Sequence, residues 1–433
     1  MKYFLAIDLG ATSGRHVVGY LSDDRIHLEE VYRFKTEMDN SSDGLVWNID
    51  RLNKEIINGI KEAFKKYPDI VSLSIDTWGV DYILMNEDKE IPPFYAYRND
   101  KNIEASKKLH ALVPFDDLYK LTGIQYASFN TIYQLFDDKE KGRLDTASDY
   151  LMLPSYFIYK LTGIKTHEYT NETTGALLNA NTHEYLYKVF DKVGLPKKLF
   201  KALNYPGTIV GKLLPEIEKE VGGNCDVLLC ATHDTASAFE SIDVDDDTII
   251  LSSGTWSLLG IKTSKPIINE QSFKANYTNE GGVNYIRFLK NIMGMYIANR
   301  VMEENNISLM NMNKEIADTC YQEVFDINDP SLSAPSNMSD AVMNLLKENP
   351  PQNTMELLAS IYRSMAVAYQ KAIKELEEIT NHKYQKIAIL GGGAKNKFLN
   401  EMVNKYTNLQ VIPVIGEATC IGNIKMQMKV KGI

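Results

Sequence analysis

The sequence predicts a mixed α/β protein of more than one domain, and three observations carry that expectation. The first part of the chain reads strand, strand, strand, helix, strand. The second half opens on another strand, a small-residue turn and a further strand. The length, 433 residues, is two to three times the roughly 150 that one domain takes.

The elements follow in order. "YFLAIDL" (3–9), "RHVVGYLS" (15–22) and "RIHLEEVYRF" (25–34) are strand-like runs parted by glycine-rich or charged turns, as in an antiparallel meander. "IDRLNKEIINGIKEAFKKY" (49–67) sets Leu52, Ile56, Ile57, Ile60 and Phe64 at helical spacing. "IVSLSIDTWGVDYILM" (70–85) returns to strand character. In the second half, "DDTIILSSGTWSLLGIK" (246–262) reads strand, Gly-Thr turn, strand. Leu358, Ile361, Tyr362, Met365, Tyr369, Ala372, Leu376 and Ile379 trace a long helix, with Asn353 and Glu356 spaced as a capping box. "KIAILGGGAKNKFLNEMVNKY" then gives strand, glycine turn and helix, "LQVIPV" a short strand, and "EATCIGNIKMQMKV" a closing helix. The acidic "DVDDDT" (243–248) is the best domain boundary, and 306–340 mixes a helix with a Pro/Ser/Asn loop.

Composition narrows the function classes. An apolar fraction of 44% and a charged fraction of 24% are ordinary for a globular chain. A net charge of -10 argues against a nucleic-acid scaffold, which wants a basic face. It leaves room for an anion held by backbone N–H groups. Cys225, Cys230, Cys320 and Cys420 form no CxxC pair, so a zinc site is not expected and a reducing compartment is. The N-terminal apolar run meets Asp8 too early for a signal peptide, and no run long enough to span a membrane follows. A soluble cytoplasmic protein is expected.

Several stretches hold chemistry-bearing residues. In "DLGATSGR", Asp8 ends an apolar strand and Gly10 and Gly14 bracket Ala11, Thr12 and Ser13, with Arg15 next. Such a turn exposes N–H groups to an anion, and an Asp at its mouth suits Mg²⁺. A plain hairpin with a capping Asp is the other reading. "SSGTWS" and "ILGGGAKN" offer similar turns around Thr255 and Gly392, each equally readable as an ordinary connection. "SIDTWGVDY" supplies Asp76, Trp78, Gly79 and Asp81; "AYRND" adds Arg98, "FNTIYQL" Asn130 and Gln134, and "LKNIMG" Asn291. Aromatic faces beside amides and carboxylates suit a polyhydroxylated ligand, though each residue alone reads as a structural hydrogen-bonder. In "CATHDTASAF", Asp234 is a carboxylate placed among small uncharged residues. It reads either as a proton acceptor with His233 beside it or as a helix cap.

Taken as an ordered set, these motifs, together with "YTNETT" and "TNEGG", resemble the FGGY carbohydrate kinases, a branch of the actin-like ATP-dependent phosphotransferases. The resemblance runs from "AIDLGATSGR" to "EATCIGNI". Ala11 stands where many sugar kinases of the family have Thr, and "IDTWGVD" differs from the matching stretch of glycerol and xylulose kinases. The resemblance implies two ribonuclease-H-like (actin-like ATPase) domains around a central cleft. Residues 1–242 would be the sugar-binding domain with the first phosphate turn, and 243–433 the nucleotide-binding domain, with a hinge near 241–248.

It also implies roles. Asp234 matches the catalytic base. Gly79, His233 and Asn291 match positions that touch the substrate. Ala11, Thr12, Ser13, Gly14, Arg15, Thr255 and Gly392 match positions around ATP, and Asn299 falls where a related enzyme carries Gln as an ATP contact. Asp8 matches the first-strand Asp near Mg²⁺, acting through water. The implied reaction is ATP-dependent phosphorylation of a small-molecule ketose at its C1 hydroxyl. A kinase for another ketose such as L-fuculose, or a non-catalytic sugar- and ATP-binding protein, are the alternatives. Similar kinases run some tens of residues past the closing helix, so shortening would bear on the packing of the C-terminal domain.

Overall fold

A computed structural model describes residues 1–99 and 101–433. Two compact units emerge: Met1–Ile242 with Lys262–Phe288 and Thr419–Ile433, and Asp243–Ile261 with Leu289–Ala418. The first break falls at the acidic stretch. Two later returns, one through the "TNEGG" region and one through the closing helix, give the first unit segments from beyond residue 243.

The meander forms as the strand runs suggest: β1 (Tyr3–Leu9), β2 (Ser13–Ser22) and β3 (Arg25–Lys35). Helix α1 (Ile49–Lys66) starts at Asn48, whose side chain accepts the Arg51 N–H. Leu52, Ile56, Ile60, Ala63 and Phe64 are its buried stripe and join the core of the first sheet. The run at 70–85 is not one strand. It splits into β4 (Ile70–Thr77) and a second strand, Tyr82–Asn86, around a turn at Trp78–Asp81. With β5 (Ile209–Lys212) and β6 (Asp226–Leu228) the sheet order is β5-β6-β4-β1-β2-β3. β1–β2 and β2–β3 pair antiparallel, while β1–β4 and β4–β6 pair parallel. Three antiparallel strands followed by two parallel ones is the ribonuclease-H-like core.

The second sheet repeats this topology. Its strands are β7 (Thr248–Ser253), β8 (Trp256–Thr263), β9 (Thr278–Gly281), β10 (Ile286–Met293), β11 (Lys386–Leu390) and β12 (Gln410–Pro413), in the order β9-β10-β8-β7-β11-β12. β7–β8 is antiparallel, and β7–β11 and β11–β12 are parallel. The faint likeness of the two glycine turns is therefore structural: each joins the first hairpin of its sheet. The long helix spans Thr354–Thr380. Asn353 caps it, but Glu356 accepts the N–H of Gln352 at 2.6 Å rather than that of Asn353, so the expected box is displaced by one residue.

Two shorter helices pack against each other: α2 (Asp234–Glu240) and the closing α3 (Ala418–Val430). On α3, Ile424 and Met428 pack on Phe4, Ala6 and Val17 of the first sheet. Its polar residues are buried too: Gln427 donates to Leu5 O at 2.9 Å and accepts from Ser72 Oγ at 2.7 Å. Gly422 lets this helix approach α2 so closely that any Cβ would fall within 3.0 Å of the Ser237 carbonyl. All four cysteines are free thiols, and among the described residues no helix is long and apolar enough to cross a membrane.

Candidate active site

The strand register gathers charged side chains at one edge of the first sheet. Asp8 lies opposite Arg15 on the hairpin and opposite Asp76 on the parallel strand. The C-terminal edge of parallel strands is where open α/β sheets bind ligands. Arg15 Nε sits 3.4 Å from Asp8 Oδ2. Asp76 is fully buried: its Oδ2 accepts from Asn423 Nδ2 of α3 at 2.5 Å, and its Oδ1 has no hydrogen-bond partner among the described residues. Burial raises its pKa well above the ordinary value, the negative charge of Asp8 adds to the rise, and the Asn423 bond offsets part of it.

The "ATHD" loop is tied to the same edge. Thr77 N donates to Thr232 O at 2.9 Å, and Thr77 and His233 form an isolated parallel bridge. Buried Glu168 holds the loop from the other side, accepting from Thr232 N at 3.2 Å and Thr232 Oγ1 at 2.6 Å, as well as from Thr170 and Asn171. Asp234 is the first residue of α2 rather than its cap; His233 occupies the cap position and makes no side-chain cap bond. Asp234 Oδ1 accepts the N–H of its neighbour Thr235 at 2.5 Å. Its side chain keeps 29% exposure, unlike Asp76, Glu168 and Glu280, so the carboxylate is reachable.

His233 lies between this carboxylate and a buried ion pair. Its Nε2 is 3.4 Å from Asp234 Oδ1, and its Nδ1 is 3.0 Å from Arg287 Nη2 and 3.4 Å from Glu280 Oε2. Burial alone would raise the Glu280 carboxyl; the Arg287 guanidinium, with a contribution from the His233 ring, carries it below its ordinary value.

The Trp78–Asp81 turn stores strain. Val80, β-branched, sits at φ 68°, and Asp81 N bonds Gly79 O across it at 2.9 Å. The surroundings hold it there: Val80 N donates to Thr174 Oγ1 at 3.1 Å, and Val80 O accepts from Thr131 Oγ1 at 2.9 Å and Gln134 Nε2 at 3.1 Å. At Gly79 a Cβ would come 2.8 Å from Thr174 Oγ1, so no side chain fits. Asp81, fully buried, is raised to about 6 by burial, against bonds from the Trp47 and Trp78 indoles at 2.7 and 2.9 Å. Gln134 and Asn130 donate their side-chain N–H groups to backbone carbonyls, Phe129 O and Gln125 O among them. Arg98 Nε donates to Tyr97 Oη at 3.0 Å; Asp100 of the same motif lies outside the described residues.

In the second unit, three of the expected positions surround one turn. Thr255 lies between β7 and β8, where Gly254 N bonds Trp256 O at 2.9 Å. The helix Tyr296–Glu304, bearing exposed Asn299, starts against it, with Met295 N donating to Gly254 O at 2.9 Å. Gly392 is exposed in the turn after β11, and a Cβ at the neighbouring Gly391 would come 2.9 Å from Ser253 O. Asn291 is half-buried on β10, apart from this turn in sequence.

Two family models match this chain: the N-terminal domain of the FGGY family of carbohydrate kinases over residues 3–239, and its C-terminal domain over 249–430. The chain belongs to the FGGY family of carbohydrate kinases. It is an ATP-dependent carbohydrate kinase. Curated relatives named rhamnulokinase include those of Oceanobacillus iheyensis, 36% identical over 98% of this chain and 92% of the relative, and Bacillus subtilis, 35% identical over 98% and 90%. Among solved structures, a ligand-bound xylulose kinase from Lactobacillus acidophilus matches with TM-score 0.82 at 16% identity over 100% of this chain and 90% of that one. A Plasmodium falciparum glycerol kinase with ADP matches with TM-score 0.76 at 13% identity, over 100% and 90%. These likenesses extend the two-domain α/β fold over the whole chain.

Of the site positions of this FGGY kinase read from sequence, Asp8, Arg15, His233 and Asp234 thus meet on one strand edge of the first unit. Thr255, Gly392 and Asn299 surround one turn of the second. Glu280 lies in "TNEGG", but the motif assigned it no role, and Arg287 carried no sequence signal of its own. Arg287 stands in "YIRFLK", where a basic residue on a strand reads as solvent-facing. Among the described residues no group of three or more His, Cys, Asp or Glu is poised to hold a metal ion. Mg²⁺ beside a nucleotide asks for less, one or two carboxylates with waters and phosphates. Asp8, partly neutralised by Arg15, fits a water-mediated role, and the orphan Oδ1 of Asp76 is a second oxygen on the neighbouring strand.

Proposed function

We propose that this kinase transfers the γ-phosphate of ATP to the C1 hydroxyl of L-rhamnulose, giving L-rhamnulose 1-phosphate in L-rhamnose degradation. The observation that carries the chemistry is Asp234: a reachable carboxylate at the start of α2, with His233 beside it, on a strand edge where its neighbours are buried. The sugar is supported by the rhamnulokinase relatives.

In this reading Asp234 accepts or orients the C1 hydroxyl proton, and His233 hydrogen-bonds the ketose. Gly79 and Asn291 are the other positions read as touching the substrate. For the nucleotide, the family pattern points to the turn Ala11–Arg15 of the first unit and, separately, to Thr255, Asn299 and Gly392 of the second. Mg²⁺, held through water by Asp8, would supply charge neutralisation at the β and γ oxygens. Such transfer is mostly positioning and electrostatics, so one misplaced carboxylate weighs heavily.

A coupled ADP-release assay over a panel of ketoses tests the reading. L-Rhamnulose should give the highest kcat/KM; L-fuculose or another ketose ahead of it would overturn the substrate. Asp234→Asn should lower kcat by about 10²–10⁴ while both ligands still bind. Turnover like the wild type in that variant removes Asp234 from the chemistry.

A further inference from the structure

Arg287 is a fully buried cation on β10 whose Nε and Nη2 meet specific atoms, while Nη1 has no hydrogen-bond partner among the described residues. Nε donates to Gly281 O at 2.9 Å, and Nη2 lies 3.2 Å from Glu280 Oε2 and 3.0 Å from His233 Nδ1. A guanidinium has five N–H donors and no acceptor. The atom that meets it must therefore offer a lone pair. In neutral imidazole one nitrogen is an acceptor and the other carries the proton. If Nδ1 accepts from Arg287, the proton is on Nε2.

Glu280 is the competing partner, since a carboxylate near Nδ1 favours an Nδ1–H. The geometry weighs against it. Glu280 Oε2 is 3.4 Å from Nδ1, and contact with the ring helps hold its carboxyl down, but Arg287 Nη2 is nearer to Nδ1, at 3.0 Å. The buried charge of Glu280 is matched by Arg287. An imidazolium is disfavoured for the same reason, because it would turn an N–H toward a guanidinium N–H.

We propose that Arg287, anchored by Glu280, is a positioning residue that fixes His233 as the neutral Nε2–H tautomer. The ring then donates from Nε2, the nitrogen that faces Asp234 Oδ1. His233 is thereby a hydrogen-bond donor to an oxygen at the Asp234 carboxylate, and its proton stays on the ring throughout the reaction. The inference rests on the reading of His233 as a ketose ligand for its catalytic meaning, but the tautomer itself can be measured without substrate.

The test is ¹⁵N-histidine labelling of the full chain and long-range ¹H–¹⁵N correlation at pH 8, with His233 assigned by its loss in His233→Gln. A pyrrole-type Nε2 and a pyridine-type Nδ1 are expected. A pyrrole-type Nδ1, or an imidazolium, overturns the proposal, and this readout needs no variant to fold beyond the one used for assignment. The kinetic arm uses Arg287→Met together with Glu280→Gln, so that no buried carboxylate is left without its cation. The ketose KM should rise about tenfold, as for loss of one hydrogen bond, with the ATP KM unchanged and the Nε2–H signature lost. A folded double variant with wild-type tautomer and ketose KM overturns the proposal. Failure of the functional reading looks different: the wild type would show the expected tautomer and phosphorylate no ketose.

Discussion

His167 should make the stability of this kinase fall as pH rises from neutral to alkaline. The ring is buried between two carboxylates, with Nδ1 3.0 Å from Glu172 Oε1 and Nε2 3.1 Å from Asp149 Oδ1. Burial would lower its pKa, but the bonds to Asp149 and Glu172 outweigh burial and raise it from 6.5 to about 9. A group held more tightly protonated in the fold adds stability in full below its unfolded value and loses it through its folded value. The window is therefore from about 6.5 up through about 9. At about 1.4 kcal/mol per pH unit, the shift corresponds to roughly 3 kcal/mol. Lys101, pulled down to about 8 by burial, titrates in the same window and acts in the opposite direction. The difference between wild type and His167→Gln cancels it. Thermal unfolding of both proteins at pH 6.0 and pH 9.5 is the assay. At roughly 2 °C per kcal/mol for a unit of this size, the gap in Tm should narrow by about 5–6 °C at the higher pH. A gap that stays constant refutes the buried imidazolium, as does a His167 resonance that titrates near its ordinary value.

Two further substitutions probe close approaches. Gly422→Ala puts a methyl group against the Ser237 carbonyl, so α2 or α3 must move; a loss of about 1–3 kcal/mol in thermal unfolding is expected, with a fall in kcat because α2 begins at Asp234. Gly393→Ala, where a Cβ would press on the Ser253 side chain within 3.0 Å, should raise the KM for ATP several-fold and leave the ketose KM alone, as read by initial rates; equal effects on both would detach that turn from the nucleotide.

What the sequence made legible was local. Apolar runs of strand length marked β1, β7 and β11 because each is a hydrophobic stretch bounded by turn residues, while β3 showed as polar and apolar residues interspersed beside the charged turn. The helical stripe of α1 was visible because its solvent face is charged. The break inside 70–85 was not, since nothing in "DTWGVDY" signals that Val80 adopts a left-handed φ; that conformation is held by Thr131, Gln134 and Thr174, all distant in sequence. The closing helix formed as expected, but the role of its polar side chains was not legible. Only its helical character was expected, and nothing marked Asn423 and Gln427 as fully buried and bonded to Asp76, Leu5 and Ser72. For the site, single motifs placed Asp8 and Asp234, and the family pattern supplied their roles. The Arg287–Glu280–His233 contact joins a strand pair to a loop some fifty residues earlier, which no local pattern reports.

The interleaving of the two units also sets an order of manufacture. A ribosome delivers the chain from its N-terminus, so the whole of the second unit, ending at Ala418, has been synthesised before Thr419–Ile433. The first unit, although begun earliest, lacks until then the amide that meets Asp76 and the side chains that cover Phe4 and Ala6. The first unit, begun before the second, is thus completed only after it, and the helix that completes it closes the carboxylate edge.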